Sequence, residues 1–493
     1  LLAPCAGEII QTHPAGHALT LKTADQLEIM MHIGLDTVHL KGNGFRGLVP
    51  HPEVQGPHTA APVPVDQPEA GETSLVTLPD TYWAAQALLP YRPEWVREHI
   101  LNLAPAVHED GRLARSLRTR PRPGEAGPAA LEEWPDAFDA PSYLALLVHD
   151  YLCWTGEHAL LDEPVGSRTL WQTVCACVEG LRRHDTNHDY LIEKQRLQPD
   201  WAFDVQRDDW VTYDLVLHLQ ALKSTAELAT LRGEGDRAED YAAWARGAQR
   251  VANQRLWQEA QGHWVDYVRS YQGFVESHAA LDTSVAALYS LGTDSQCHRH
   301  LDYLARVLET RHNPEQYYGD WGLMGCFPFY RQRADLAGRS ANAYGLHNGA
   351  AWPGWCGIYA LAALLHRRPG WRYALERWWT YSLEQYWFAP PEHYAPPYDA
   401  PALRQSPLLA AWSAMPAAAI ILGAFGFWPN LAGEVVLRVP PWGDSALRGL
   451  RFRGETYDIV VRGDMVTLLQ DGETVASSQH GLRVRLGHPV AVR

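Results

Sequence analysis

The chain has 493 residues, 46% hydrophobic and 20% charged, with a formal net charge of −15. That length exceeds one ordinary core and sets an expectation of one large domain with one or two small ones. The acidic balance excludes a nucleic-acid binder, whose phosphate partners reward lysine and arginine, and no apolar run reaches the roughly 18 residues of a membrane span.

Residues 1–50 alternate in strand fashion, as in His17-Ala18-Leu19-Thr20-Leu21-Lys22, with glycines punctuating the turns. From 50 to 74 the composition collapses to Pro, Gly, Ala, His and Glu, which reads as a linker. A helical pattern follows to about 430. It predicts helices over 81–91, 94–103, 142–154, 170–183, 210–231, 237–256, 278–291, 297–310, 352–366, 371–387 and 408–426, the last breaking or kinking at Pro416. Strand patterns return over 434–439, 457–462, 465–469 and 482–486, with an Asp471-Gly472 turn.

The fold class expected from this order is mainly α. Helical hairpins wind into a closed (α/α)6 toroid, with a small C-terminal antiparallel β domain and an incomplete N-terminal β segment. The expected boundaries are 1–49 for the β segment, 50–74 for the linker, 75–430 for the toroid and 431–493 for the C-terminal domain.

Seven scattered cysteines, an odd number, argue against a secreted disulfide framework, and Cys175-Ala176-Cys177 reads as structural. The chain opens Leu1-Leu2-Ala3-Pro4 without a signal-like leader, so the expected location is cytoplasmic. The pairs His13/His17 and His184/His188 lack the helical face a zinc pair needs. The alternating oxygens of Asp185, Asn187 and Asp189 read as a polar turn rather than a calcium loop. No metal and no cofactor are expected.

There are 20 Trp against 10 Phe. Both fill cores, but indole adds a polar handle and a flat face that suits the C–H-rich side of a sugar ring. Cleaving a glycosidic bond with inversion needs one protonated carboxyl to supply the leaving oxygen and one carboxylate to activate water, roughly 6.5–9.5 Å apart. Two loops rich in aromatics offer carboxyls. Glu392 lies in Pro391-Glu392-His393-Tyr394-Ala395-Pro396, where proline on both sides argues against a helix; it is the expected base.

Asp200 and Asp204 lie in Pro199-Asp200-Trp201-Ala202-Phe203-Asp204, too far upstream to cap the next helix, whereas Asp208 and Asp209 read as its caps. The apolar neighbours of Asp204 are expected to keep it protonated as the acid, with Asp200 the alternative or a sugar-hydroxyl acceptor. Asp139 reads first as an N-cap with Pro141 behind it. It and Trp83, Trp201, His347, Asn348, Trp352, Tyr394 and Trp412 are the expected substrate contacts, with Trp201 and Trp352 flanking the gap between the carboxyls.

Two resemblances sharpen this reading. Ala3-Pro4, Gly7-Glu8-Ile9, His17-Ala18 and the run from His32-Ile33-Gly34-Leu35-Asp36-Thr37-Val38 to Phe45 resemble the glucose-type IIA phosphocarrier of the bacterial sugar phosphotransferase system. The resemblance implies phosphorylation at His32 assisted by His17. The family domain is far longer, so residues 1–49 are expected to be a remnant, with phosphotransferase proteins as partners only if that segment functions.

Residues 78–427 resemble the toroid glycosidases of the glucoamylase, family 63 α-glucosidase and bacterial debranching-enzyme group. The similarity is carried by Arg92-Pro93-Glu94, Asp110-Gly111-Arg112, Asp139-Ala140-Pro141, Thr155-Gly156-Glu157, His347-Asn348-Gly349, Trp352-Pro353, Glu392-His393-Tyr394 and Trp412-Ser413. The Glu-x-Tyr element implies that Glu392 is the base. The family's Gly-Met-Asp acid motif is replaced by Pro199-Asp200-Trp201 and Asp204.

The function implied is an inverting hydrolase of α-glucosidic or related oligosaccharides. The alternatives are a toroid-fold phosphorylase or epimerase, and a phosphotransferase-linked sugar sensor with an inactive toroid.

Overall fold

A computed structural model describes residues 8–12, 18–22, 28–32, 75–118, 129–130, 137–331, 338–385, 387, 390–396 and 410–487. The chain divides into two units, Leu1–Glu72 and Thr73–Arg493. In the first, β1 (Glu8–Thr12), β2 (Ala18–Lys22) and β3 (Glu28–His32) form an antiparallel sheet in that order. The β2–β3 register sets Ala18 opposite His32. His17 and the expected linker at 50–74 lie outside the described residues.

The second unit is built on helices in two layers. An inner set comprises α1 (Leu78–Leu88), α3 (Ala140–Thr155), α5 (Thr212–Leu231), α7 (Ser284–Leu288), α9 (Pro353–Leu365) and α11 (Met415–Ala419). Each of these packs on the next, and α11 returns to α1, so the six close a ring. The outer partners are α2 (Pro93–Leu103), α4 (Leu170–Arg182), α6 (Gly235–Leu256), α8 (Asp294–Leu308) and α10 (Gly370–Glu384). This is the expected (α/α)6 toroid.

The two layers differ in sequence as physics requires. The inner helix α9, Pro-Gly-Trp-Cys-Gly-Ile-Tyr-Ala-Leu-Ala-Ala-Leu-Leu, is buried through Leu364 because neighbours cover every face. Outer α8 carries a single buried stripe, Cys297, His300, Leu301, Leu304 and Leu308. Local chemistry starts two outer helices: Thr169 with Gln172, and Thr293 with Gln296, form reciprocal capping boxes.

Several elements depart from expectation. The helix expected over 278–291 is only the five residues of α7, because Ala279–Ala280 pairs as a strand with Cys326–Phe327 and Leu281 donates to the Gly325 carbonyl. Pro416 does not kink a longer helix. It sits in the first turn of α11, where a missing N–H costs nothing, and the chain runs on as a π-turn over Ile420–Ala424. Asp208 and Asp209 do not cap α5: they accept from Arg269 and Tyr271, and from Ser270, respectively. Asp139 stands at the N-cap of α3 but its carboxylate makes no capping bond.

The C-terminal strands form a four-stranded antiparallel sheet, Ser445–Phe452, Glu455–Arg462, Met465–Gln470 and Glu473–Gln479. Glu434–Leu437 pairs separately with Leu482–Arg485. No described helix is long and apolar enough to cross a membrane.

Candidate active site

A cavity of about 130 Å³ opens among the loops and helix starts of the toroid. The start of α1 contributes Pro79, Asp80 and Trp83, and α3 contributes Tyr143. Arg115, Trp201, Phe203, Leu346, His347, Trp352 and Glu392 come from the segments between helices, with Trp355 from α9 and Trp412 from the turn before α11. Of the expected site residues, Glu392, Trp83, Trp201, His347, Trp352 and Trp412 line this cavity.

Three of the wall indoles are fixed by specific bonds. Trp83 Nε1 donates to Tyr143 Oη at 2.9 Å. Trp201 Nε1 donates to Asp282 Oδ2 at 2.7 Å, and Trp352 Nε1 donates to the Leu346 carbonyl at 3.1 Å. The indole nitrogens of Trp355 and Trp412 are buried without hydrogen-bond partners among the described residues, leaving two donors on a wall where an orphaned donor is costly.

Two carboxyls line the cavity, Asp80 and Glu392. Burial raises Asp80 to about 6; the Thr77 hydroxyl pulls it down, the charge of Glu392 pushes it up and Arg115 lowers it. Asp80 is therefore half-buried on the cavity wall and within electrostatic reach of Glu392. Glu392 itself is paired with His393 Nδ1 at 3.2 Å. The Pro391 carbonyl accepts from the Ser413 hydroxyl at 3.0 Å, which ties the Glu-x-Tyr loop to the Trp-Ser turn.

Asp200 and Asp204 have surroundings opposite to those expected. Burial would raise Asp200, but Arg207 and Lys194 outweigh it and hold the carboxylate well below the usual range. Burial would raise Asp204 too, yet His347 and Ser340 overcome it and the carboxyl is lowered. The apolar neighbours Phe203 and Val205 do not decide its charge, because direct charged and hydroxyl partners outweigh apolar surroundings.

Asp139 does carry a raised pKa, about 6, from burial first and then from the charge of Asp200. Its Oδ2 accepts from Tyr213 at 2.8 Å, and Tyr213 shares a 2.7 Å bond with Tyr143 at the cavity wall. Asp139 thus communicates with the cavity through two hydroxyls. Asn348 spends its amide on Tyr330 and Ser340 backbone groups, and Tyr394 donates to the Trp321 carbonyl while its ring stacks on Tyr381. Neither lines the cavity.

Beneath Trp201 lies a buried ionic network. Arg207 meets Asp200 at 2.9 Å, Asp266 at 3.0 Å and Asp282 at 2.5 Å, and Lys194 meets Asp200 and, at 3.5 Å, Asp214. Burial raises Asp214 and Asp282, against the pull of Lys194 on the first and of Arg207 on the second. Among the described residues no group of three or more His, Cys, Asp or Glu is placed to hold a metal ion.

Asp80, Arg115, Tyr143, Phe203 and Trp355 were not among the site residues expected from sequence. Asp80, one residue after Pro79 in the first turn of α1, carries only the signal of an acid at a helix start. Nothing local marks Arg115.

Comparison with known proteins separates the two units. Residues 1–54 match the family model of the phosphoenolpyruvate-dependent sugar phosphotransferase system, EIIA 1. They are similar to the glucose-specific EIIA component of Halalkalibacterium halodurans, 51% identical over 45 residues, which is 9% of this chain and 26% of that protein. The corresponding protein of Mycoplasma capricolum is 47% identical over 47 residues, 10% of this chain and 30% of the relative. The chain thus spans less than a third of these relatives.

Among solved structures, the rhamnosidase from Klebsiella oxytoca with rhamnose bound has a TM-score of 0.50 at 17% identity, covering 70% of this chain and 57% of that one. The GH78 family rhamnosidase of Bacillus sp. GL1 also reaches 0.50, at 16% identity over 80% of this chain and 36% of its own. An uncharacterized conserved protein from Thermus thermophilus reaches 0.50 at 14% identity, covering 71% of this chain and 93% of that one. At such identities the likeness is one of fold. A glucose-type IIA segment at the N-terminus therefore precedes a helical unit that shares the (α/α)6 architecture of toroid glycosidases.

Proposed function

We propose that the helical unit hydrolyses glycosidic bonds by inversion, with Glu392 activating water and Asp80 protonating the leaving oxygen. The observation that carries this reading is the pairing of these two carboxyls in one cavity walled by Trp83, Trp201, Trp352 and Trp412. A general acid must hold its proton at the working pH, and burial raises Asp80 to about 6, so that it keeps its proton in mildly acidic solution, where an ordinary carboxyl has lost it. Asp204 and Asp200, the acids expected from sequence, lack this property, because His347 and Ser340 lower the first and the cations Arg207 and Lys194 lower the second. Asp139 has it but stands behind Tyr143 and Tyr213.

In the proposed step, Glu392 takes a proton from water as its oxygen attacks the anomeric carbon. The C–O bond to the leaving group breaks on the other face, and Asp80 delivers its proton there. The flat indoles supply ring-face contacts, and the free N–H groups of Trp355 and Trp412 supply donors for sugar oxygens.

The resemblance to α-glucosidases and the rhamnosidase fold neighbours define the substrates to test: α-linked glucose disaccharides and α-L-rhamnosides, with the released anomer read by NMR. Glu392→Gln keeps shape and hydrogen bonding but cannot take a proton, so turnover should vanish while binding persists. Full turnover in the folded variant refutes the assignment. Arg115 in the cavity is the one observation favouring phosphorolysis, since a guanidinium suits phosphate. Repeating the assay with inorganic phosphate and reading sugar 1-phosphate separates the two.

A further inference from the structure

His347 is the most completely constrained polar group on the cavity wall. Its ring stacks on Trp352 at 5.2 Å with an interplanar angle of 7°, and meets Trp201 and Phe203 edge to face at 4.9 and 4.8 Å. Its Nδ1 contacts Asp204 Oδ1. Asp204 is itself held by Ser340, whose hydroxyl donates to Oδ1 at 2.7 Å and whose N–H reaches Oδ2 at 3.3 Å. The circuit closes where the His347 N–H donates to Ser340 Oγ at 3.0 Å.

This circuit determines the tautomer. A carboxylate only accepts, so the Nδ1 facing Asp204 carries the proton. Burial lowers the His347 pKa, with Asp204 pulling the other way, so the ring is neutral near pH 7 and has a single proton to place. Nε2 is then a bare lone pair. It has no hydrogen-bond partner among the described residues, on a ring that lines the cavity. A pre-oriented acceptor on a buried ring matches a hydroxyl donor, and sugar rings carry several.

We propose that His347 is a substrate-positioning residue whose Nε2 accepts a hydrogen bond from a ring hydroxyl of the bound sugar, and that Asp204 acts through it by fixing the tautomer. This rests on the reading of the cavity as a sugar site. It also gives Asp204 a role compatible with its ionised state. The ligand class is a neutral monosaccharide unit with a hydroxyl donor directed at the His347 edge.

The test uses the full chain and two substitutions of opposite geometry. His347→Asn places an amide N–H near Nδ1, keeping the Asp204 contact and losing the cavity acceptor. His347→Gln places an amide oxygen near Nε2, keeping the acceptor and losing that contact. Calorimetric titration with D-glucose, D-mannose, D-galactose and L-rhamnose at tens of millimolar provides the probes.

The expected result is wild-type binding of at least one sugar, weakened about tenfold in His347→Asn and largely recovered in His347→Gln. The reverse order marks His347 as a structural anchor for Asp204 and overturns the proposal, as does no binding by the wild type. On wild-type protein with 15N-labelled histidine, the Nε2 signal should be unprotonated and move on saturation with the bound sugar. A protonated or unmoved Nε2 overturns the proposal even where the variants fail to fold. Binding without turnover leaves this inference standing and removes the glycosidase reading.

Discussion

Replacing Asp80 by Asn should make the protein more stable and far less active, and the two effects share one physical origin. The ordinary carboxyl value of 3.8 rises to about 6 at this half-buried position. At about 1.36 kcal/mol per pH unit, that difference corresponds to roughly 3 kcal/mol. The native pKa is raised, so the group's contribution to stability is full below about 3.8 and is lost as pH rises through about 6. Above that the folded state carries a buried carboxylate whose cost is roughly 3 kcal/mol.

Asparagine has no such titration. The stability of Asp80→Asn relative to wild type should therefore climb by roughly 3 kcal/mol between pH 3 and pH 7.5. Urea midpoints at several pH values measure it directly. The same variant cannot deliver a proton, so turnover should fall by about 10² to 10⁴. In the wild type, turnover should decline as pH rises through about 6, where Asp80 loses its proton. A stability difference that does not vary with pH would show that Asp80 is not held in its protonated form, and the assignment of the acid would fall with it.

Lys194→Met should destabilise the protein by about 3–5 kcal/mol, since it strips a buried cation from Asp200 and Asp214. The loss should be smaller at pH 5 than at pH 8 in thermal unfolding, because protons then replace the missing charge. Gly357→Ala, normally favourable inside a helix, should instead cost about 1–3 kcal/mol, since the added Cβ would lie 2.4 Å from Pro416 N and 2.5 Å from the Met415 carbonyl carbon. An unchanged melting temperature in that variant would refute the tight approach of α9 to α11.

The toroid was legible because its signals are local. Inner helices such as α9 read as apolar on all sides and outer ones such as α8 as striped, and these patterns repeat along the chain. The IIA-like segment was legible for a related reason, a contiguous motif running from His32 to Phe45. Where segments remote in sequence competed, local reading failed. The expected helix at 278–291 shrank to α7 because a strand pairing with Cys326–Phe327 intervened.

The same division runs through the candidate site. Glu392, held between prolines, and the tryptophans that line the cavity stood out from their own neighbourhoods. Protonation did not, because it depends on charges brought in from far along the chain. Asp204 owes its ionised state to His347, 143 residues away, and Asp200 owes its own to Lys194 and Arg207. Asp80 owes its raised pKa to burial, reinforced by Glu392 on the opposite side of the sequence. Periodicity and loop chemistry were enough to specify the architecture and one of the two proposed carboxyls. Which other carboxyls have a raised pKa depends on tertiary packing, because desolvation and Coulomb interactions act through space and leave no trace in local sequence.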